Sequence, residues 1–551
     1  MPHESPIDYG SPAECLDLLK RLRVLDIDAT QHTLADIVAG LLRALPAPNQ
    51  HLEVLEAVRA QVDFVQAEMA KRYAAHPLPP DSSENETLAR VVSLWGGMAR
   101  SYAQISRQDA AAGTLDDQRA LLAQRRVDYT GRALLEYFRA HRAPPHGTWA
   151  ELHDSYSVAE ARGVAGIRVP DSLNEVWKAQ SALEAYVSAV LVDLANPFGR
   201  GEREFGWVHR WAQRFAPYCS LDAESDTGRT EAAAFGIDLA GDHGPRPLWL
   251  IGPPGAGVRR FDASRLAGQI RAVLTQFRQG AAPASLGLGA DCSTDACATL
   301  LLSLYRPWGV ASAARRFPRR GGKGSAELYG DWLTIGFHVA GRTFEQPAGS
   351  ATARSVADDV SLLTFGEQAP ETVGGWSEQQ RQRVAATLGF VCGHWDIVDH
   401  SVNGFRLQQH PHSERLEHHQ LVGIRPPDGE RFLLGQVTWL MYREDGVMEA
   451  GIHILAGLPK VVAARLFGLN VGTHVAYQQA FLLPPTPALK APASLVLPAG
   501  WFQARRVIEV HDDRPIQMRL TGVLTRGTNF DQVSFEALTD PARDAPPETA
   551  H

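Results

Sequence analysis

The stretch Asp399-His400-Ser401-Val402-Asn403-Gly404 reads as D-x-S-x-x-G and lies between two apolar segments. The run from Trp395 to Val398 precedes it, and Phe405 and Leu407 follow it. A short polar turn between apolar residues is typical of a β-hairpin. We therefore predict two antiparallel strands that meet at this turn.

Further short strands are predicted on both sides of the hairpin. Before it, Glu327–Val339 alternates as a strand does. After it come Leu421–Ile424, Phe432–Leu440 and Met448–Leu455, with turn residues between them. Strands of this length and spacing predict a small antiparallel barrel. A further β-rich unit follows, with predicted strands at Ala493–Leu497, Arg506–Val510, Ile516–Leu524 and Asp531–Ala537.

An arginine cluster, Arg315-Arg316-Phe317-Pro318-Arg319-Arg320, precedes the predicted barrel. It contains R-x-x-x-R in two registers, Arg315/Arg319 and Arg316/Arg320, and the sequence does not choose between them. The arginine fork pairs in a bidentate manner with phosphate or with the O6/N7 edge of guanine, and it stacks on base faces. The cluster is thus a candidate site for an anionic ligand that carries guanine.

The polar turn offers complementary chemistry. Asp399 can accept hydrogen bonds from guanine N–H groups, and Ser401 can bond to a phosphate or to a base. Gly404 allows either a positive φ or a close approach of another chain segment. Each motif also has a simple structural explanation, since an Asx-type turn accounts for D-x-S-x-x-G and a solvated surface accounts for an arginine run. Their order in one barrel favours a binding site.

Two later motifs complete the pattern, Val437-Thr438-Trp439 and Gly451-Ile452-His453-Ile454. In this order, the arginine cluster, W-x-x-x-D-x-S-x-x-G and these two strands resemble a PilZ domain, a receptor module for cyclic di-GMP, over about residues 315–456. The resemblance implies no catalytic residue, no metal and no cofactor, with cyclic di-GMP as the ligand. It implies these ligand-binding residues: Arg315, Arg316, Arg319, Arg320, Asp399, Ser401 and Gly404. An insertion, 343–392, is longer than the family norm and could separate the cluster from the turn.

The first part of the chain is predicted to be helical. Leucine and valine stripes at helical spacing fill 11–145, Pro77-Leu78-Pro79-Pro80 interrupts them, and 174–195 forms another predicted helix. The pattern Trp149-x2-Leu152-x3-Tyr156-x2-Ala159 resembles the start of a tetratricopeptide helix pair, although no 34-residue repeat accompanies it. A generic helical hairpin is therefore the favoured interpretation of this pattern.

The overall composition limits the classes of partner. The chain has 551 residues and a net charge of −8, which argues against a general nucleic-acid or membrane-surface binder. The sequence shows no signal peptide or apolar run that suits a membrane span, so a cytoplasmic location is expected. Five scattered cysteines suit a reducing compartment. Cys292 and Cys297 are interpreted as buried thiols, because a zinc site would need further ligands.

Three other motifs are interpreted as unrelated to ligand chemistry. Gly252–Gly257 resembles a phosphate loop, but Val258 and Arg259 stand where lysine and serine or threonine are needed. Glu536-Ala537-Leu538 spells a phosphodiesterase motif without the surrounding carboxylates. A histidine group is interpreted as a polar loop rather than a metal site: His410, His412, His418 and His419.

The sequence therefore predicts an α+β multidomain protein with an N-terminal helical bundle or solenoid, a PilZ-like β-barrel and a C-terminal β-rich unit. The expected domains are 1–225 (helical), 226–310 (mixed α/β), 311–460 (barrel), 461–540 (β-rich, a possible degenerate second barrel) and 541–551 (a disordered tail). The expected function is a cyclic-di-GMP effector without enzymatic activity, in which ligand capture orders the arginine segment and fixes the barrel against helices that bind a protein partner. The alternatives are a PilZ-like adaptor that binds protein alone, and an enzyme that uses Gly252–Gly257.

Overall fold

A computed structural model describes residues 7–22, 25–223, 235–251, 255, 257–309, 318–347, 378–390, 392–409, 415–467 and 476–538. The described residues form two compact units. The first comprises those up to 309 except 77–79, together with 441–444. The second comprises 77–79 and those from 318 onward except 441–444. The first unit is mainly helical and the second is mainly β-sheet. The predicted α+β multidomain class is confirmed.

Capping residues decide where several helices of the first unit begin. The helices are α1 (Pro12–Arg21), α2 (Ile27–Ala44), α3 (Pro48–Ala70), α4 (Ser82–Gln108), α5 (Arg119–Arg139), α6 (Thr148–Ala161), α7 (Ala182–Leu194), α8 (Glu202–Phe215), α9 (Ser264–Arg278) and α10 (Thr294–Gly309). Asp81 and Ser181 each form a capping box, with Glu84 and Glu184, at the start of α4 and α7.

The strands of the first unit are short. They are β1 (Val169–Pro170), β2 (Ala179–Gln180), β3 (Ser220–Ala223), β4 (Phe235–Asp238), β5 (Arg246–Pro247) and β6 (Val258–Asp262). The prediction of a helix over 174–195 was wrong in its first part. The Asn174 side chain accepts a hydrogen bond from the Trp177 N–H, and Lys178 has a φ of 52°. These residues make a turn, and the helix begins only after Ser181.

A buried network of charges joins α3, α5 and the segment after β1. Asp171 is 2% exposed, and its Oδ1 lies 2.6 Å from Arg59 Nη2 while its Oδ2 lies 3.3 Å from Arg125 Nη1. Arg125 also forms two hydrogen bonds of 3.0 Å to Glu56. Tyr129 accepts a hydrogen bond from Arg59. Two arginines and two carboxylates thus compensate one another inside the helical unit.

The second unit contains most of the strands. Its elements are β7 (Arg320–Gly321), β8 (Ser325–Tyr329), α11 (Trp332–Ala340), α12 (Glu378–Thr387), β9 (Gly393–Ser401), β10 (Gly404–Gln409), β11 (Leu421–Arg425), β12 (Leu433–Tyr442), β13 (Met448–Ile454), β14 (Lys460–Leu466), β15 (Gln478–Leu483), β16 (Ser494–Pro498), β17 (Val507–His511), β18 (Pro515–Arg526) and β19 (Phe530–Ala537).

These strands close two barrels with the same strand order. In the first barrel β8, β9, β10, β13, β12 and β11 form a ring, and the short β7 adds to β9. In the second barrel the ring is β14, β15, β16, β19, β18 and β17. When the strands of each barrel are numbered from one to six, both rings read 1-2-3-6-5-4. The predicted barrel and the further β-rich region are therefore both present, and the β-rich region is itself a closed barrel.

Helix α11 packs against both barrels. The predicted strand over Glu327–Val339 was wrong beyond Tyr329, because the Asp331 side chain accepts a hydrogen bond from the Thr334 N–H and so begins a helix. Trp332 Nε1 donates to the Gln479 carbonyl at 3.1 Å, and Gln479 Nε2 donates to the Trp332 carbonyl at 2.7 Å. These reciprocal bonds fix α11 on β15.

The second barrel has an apolar face at the position of the D-x-S turn in the first. Leu483 pairs with Ser494 at the end of the β15–β16 hairpin, and Ser401 pairs with Gly404 at the end of the β9–β10 hairpin, so the two hairpins can be aligned at these pairs. In this alignment Phe481 and Leu483 occupy the positions in β15 that Asp399 and Ser401 occupy in β9. Both are fully buried, in a cluster that also contains Tyr329 and Leu421 of the first barrel, as well as Ile335 of α11. This face of the second barrel packs against the first barrel and α11.

Removing the charge of Asp171 should destabilise the helical unit strongly. Asp171→Asn leaves two buried guanidinium groups with only Glu56 as a charged partner, and breaking such a buried pair costs about 3–5 kcal/mol. Chemical denaturation of the full chain should show this loss in the transition of the helical unit. The matched control is Asp116→Asn at an exposed ion pair with Arg119, and it should leave that transition nearly unchanged.

The same network should make the helical unit sensitive to acid. Burial alone would raise the pKa of Asp171 and of Glu56, but the neighbouring arginines outweigh burial and hold both pKa values below the ordinary ones. A depressed pKa stabilises the fold above the unfolded pKa of about 4, and this stability disappears as the pH falls through the folded value. Denaturation at a series of pH values should show a steeper acid loss in the wild type than in Asp171→Asn. An equal loss of stability with falling pH in both proteins would contradict the role of Asp171 in the acid sensitivity.

Candidate functional site

A β-bulge in β9 decides which way the D-x-S residues face. Leu407 pairs with Ile397, whereas the preceding residue, Arg406, pairs with Asp399, so Val398 is an extra residue in β9. Leu407 is fully buried and points into the barrel, which places Arg406 and its partner Asp399 on the outer face. Ser401, two residues further on, lies on the same outer face. Without the bulge, the alternation that buries Ile397 would also turn Asp399 inward.

The structure brings Arg319 and Asp399 together. Arg319 Nη1 lies 2.5 Å from Asp399 Oδ1, and the two side chains are 31% and 21% exposed. Strand β7 makes this contact possible, because Gly321 pairs with Asp399 and Arg319 shares the face of Gly321. The insertion 343–392 therefore does not separate this arginine from the D-x-S turn.

Arg320, the arginine within β7, has a different orientation. It pairs with His400, so its backbone position is on the opposite face from Asp399, and the residue is exposed. Arg315 and Arg316 lie outside the described residues. Of the four arginines predicted to bind the ligand, Arg319 is thus the one that the described structure places on the D-x-S face.

Gly404 allows a close approach rather than a left-handed backbone. Its φ is not among the positive values, and a Cβ at this position would lie 2.6 Å from the Ile452 carbonyl oxygen. Ser401 Oγ donates to Asn403 Oδ1 at 3.0 Å, which tightens the turn. The Ile454 N–H donates to the Asn403 carbonyl and ties the same turn to β13. The prediction of a tight turn is confirmed, and its glycine requirement is steric.

Sequence reasoning missed one ion pair on this face. Arg406, the cross-strand partner of Asp399, donates to Glu449 Oε2 from Nε at 3.1 Å and from Nη2 at 2.7 Å. Glu449 is 3% exposed. The available signal was an arginine two residues after the glycine of the motif, with a glutamate two residues before Gly451. The outer face thus carries two adjacent arginine–carboxylate pairs.

The two later motifs meet beside Arg406 on the same outer face, because Gly451 is its cross-strand partner in β13. A Cβ on Gly451 would lie 1.9 Å from Trp439 Nε1, so the indole ring occupies the space that a side chain at this position would fill. Thr438 Oγ1 donates to the Gly451 carbonyl at 2.9 Å. The tryptophan and the glycine are therefore a matched pair in neighbouring strands β12 and β13.

The other motifs have structural roles or fall outside the described residues. Arg259, which follows the glycine-rich stretch, forms an ion pair of 2.6 Å with Glu160. Cys292 and Cys297 are joined as a disulfide, so the prediction of two buried thiols was wrong. Among described residues, no group of histidine, cysteine and carboxylate side chains could hold a metal ion. Of the motifs and segments singled out in the sequence, 252–254 and 256, His410, His412 and the tail 541–551 lie outside the described residues.

The fold and the site define a class of protein in which a helical unit precedes two β-barrels and one barrel carries an exposed arginine–aspartate face. No described helix is long and apolar enough to cross a membrane.

Comparison with known proteins finds family similarities over two parts of the chain. Residues 13–226 match the family model for the N-terminal domain of the cyclic-di-GMP receptor FimW, and residues 462–538 match the FimW C-terminal β-barrel domain. Over these two ranges the chain is therefore similar to the FimW domains. It is also 24% identical over 528 residues to the cyclic-di-GMP receptor FimW of Pseudomonas aeruginosa, which covers 89% of this chain and 85% of that protein. Neither family model covers the first barrel.

Adding a methyl group to Gly404 should damage the hairpin. Gly404→Ala places a Cβ 2.6 Å from the Ile452 carbonyl oxygen, so β10 and β13 must separate locally, at a cost of about 1–3 kcal/mol. The matched control is Gly321→Ala on the same face, where nothing lies within 4 Å of the added Cβ. Thermal unfolding should show a lower midpoint for the barrel unit in Gly404→Ala alone. Equal midpoints in the two variants would contradict the steric role.

Proposed function

We propose that this protein is a receptor for cyclic di-GMP and that the outer face of the β9–β10 hairpin binds the ligand. The observation that carries the proposal is the contact between Arg319 and Asp399, 80 positions apart in sequence and 2.5 Å apart in space. The two FimW domains and the receptor relative support the same ligand class. The proposed site is the first barrel, which we interpret as a PilZ-like domain.

The chemistry of the face suits a cyclic dinucleotide. Arg319 offers a planar fork for a phosphate or for the guanine O6/N7 edge. Asp399 accepts hydrogen bonds from guanine N–H groups, and the Ser401 hydroxyl can donate to a phosphate oxygen. Arg315, Arg316 and Arg320 are proposed to complete the cationic side of the site. The partial exposure of Arg319 and Asp399 leaves both within reach of a ligand from solution.

Ligand binding is proposed to replace the ion pair between Arg319 and Asp399 with one contact from each of these side chains to the ligand. Without ligand, Arg319 and Asp399 neutralise each other on a partly exposed surface, where such a pair contributes about 0–1 kcal/mol. A micromolar ligand contributes about 8 kcal/mol on binding. The ion pair therefore lowers affinity by no more than about fivefold, and it holds both side chains on the face that the ligand contacts.

The protein is proposed to act as a cytoplasmic effector without catalytic activity. Ligand capture at the barrel would shift the equilibrium between two states of the protein, and the shift is limited by the difference in ligand affinity between those states. The helical unit is proposed to bind a protein partner that reads this change. No cofactor is part of the proposal.

Both members of the ion pair should be required for binding. Calorimetric titration of the full chain with cyclic di-GMP should give saturable heat for the wild type. Arg319→Ala and Asp399→Ala should each weaken binding at least tenfold, because each loses contacts to a phosphate or a guanine. The matched control is Arg514→Ala, which removes an exposed arginine between β17 and β18 of the second barrel and should bind as the wild type does.

Two results would contradict the proposal in different ways. Absence of heat with the wild type would reject the receptor function and leave a PilZ-like adaptor that binds protein alone. Wild-type affinity in both Arg319→Ala and Asp399→Ala would retain the receptor function but reject this face as the site.

A further inference from the structure

A concave groove lies on the helical unit between α4, α5 and α6. Its volume is about 250 Å³. The residues used below are Arg107 and Ser106 of α4, Ala123 and Arg126 of α5, Val158 of α6, and Arg162, which directly follows α6. We call this the α4–α6 groove. All of its lining residues belong to the first compact unit.

The rim of the α4–α6 groove carries an excess of positive charge. Three arginines line it, whereas Asp154 is the single carboxylate among its lining residues. Asp154 Oδ2 lies 2.6 Å from Arg126 Nη2 and so compensates that guanidinium. The hydrogen bonds described for Arg107 and Arg162 go to neutral side chains, Gln104 and Ser106.

The helix ends do not cancel this excess. Arg107 lies in the last turn of α4, and Arg162 follows the end of α6. A helix C-terminus carries about half a negative charge, so the two ends offset roughly one of the two uncompensated positive charges. A net positive rim remains on a chain whose overall charge is −8. Such a local field favours an anionic partner and repels cationic ones.

The floor of the groove is apolar. Leu122 and Ala159 are 3% and 0% exposed and belong to the two helical cores, while Ala123 and Val158 line the opening above them. The volume is below the range of about 300–1,000 Å³ that encloses a drug-sized ligand, so a whole cyclic dinucleotide does not fit. It suits one apolar side chain, with acidic groups at the arginine rim.

We propose that the α4–α6 groove binds an acidic segment of a partner protein, which inserts one apolar side chain between Arg107, Arg126 and Arg162. The inference rests on the proposed function only in giving the helical unit its partner-binding role. The carboxylates of the segment would pair with Arg107 and Arg162, which have neutral partners in the described structure. Burial of the apolar side chain would supply affinity, and the charge pairs would supply selectivity.

The test uses a synthetic fluorescein-labelled peptide with one phenylalanine flanked on each side by three glutamates. Fluorescence anisotropy with the full chain should show saturable binding that weakens as salt is added. The double variant Arg107→Glu/Arg162→Glu should bind at least tenfold more weakly. A peptide with glycine in place of the phenylalanine should also bind at least tenfold more weakly to the wild type.

The matched control is Arg278→Glu/Arg306→Glu. It makes the same charge change at two exposed arginines in the last turns of α9 and α10, neither of which lines the groove. It should bind the peptide within twofold of the wild type. Equal weakening in both double variants would reduce the effect to net charge and overturn the proposal. Wild-type affinity in Arg107→Glu/Arg162→Glu, full affinity of the glycine peptide, or no saturable binding by the wild type would also overturn it.

Cyclic di-GMP titration of the same variants separates this inference from the proposed function. Arg107→Glu/Arg162→Glu should retain the wild-type affinity for cyclic di-GMP, because the nucleotide face is on the first barrel. Peptide binding without any cyclic-di-GMP binding would reject the receptor function and leave the groove intact. The reverse result would reject the groove and leave the receptor function.

Discussion

The candidate site depends on one extra residue in one strand. Val398 has no cross-strand partner in the β9–β10 ladder, and this bulge reverses the alternation of side chains in the rest of β9. Up to Ile397 the strand follows the usual rule and alternates buried with exposed residues. The odd-numbered residues of β9 are buried just before the bulge. After it, the extra residue turns the odd-numbered Asp399 and Ser401 outward. Arg319 reaches Asp399 only because the carboxylate is outside.

The order of motifs was enough to predict this region, because each motif has a local physical cause. Apolar residues on both sides of a polar turn require a hairpin, and Gly451 leaves room for Trp439 whatever the rest of the chain does. Ser181 is a local signal of the same kind that was overlooked, because its capping box begins α7 inside the helix predicted over 174–195. The helical first unit, the first barrel and the β-rich end could therefore be predicted from residues that act on close neighbours.

The missed features depend on contacts between distant segments. Residues 332–340 are apolar enough for a strand, and they become helix α11 because Asp331 caps them and both barrels cover them. The pairing of Arg406 with Glu449 required the register of β10 against β13. The steric role of Gly404 required the position of the Ile452 carbonyl. The Asp331 cap and the charges of Arg406 and Glu449 are visible in the sequence, but no pattern within a few residues places them against their distant partners.

The common strand order of the two barrels has a consequence for the history of the chain. Two six-stranded rings with one order, separated only by residues 455–459, are what an internal duplication of a single ancestral barrel would leave. In such a pair, the first barrel has Asp399 and Ser401 on the outer face of its second strand, whereas the second barrel has Phe481 and Leu483 at these positions. Both apolar side chains are buried against the first barrel, so the face that is open to solvent in one repeat joins the two repeats in the other.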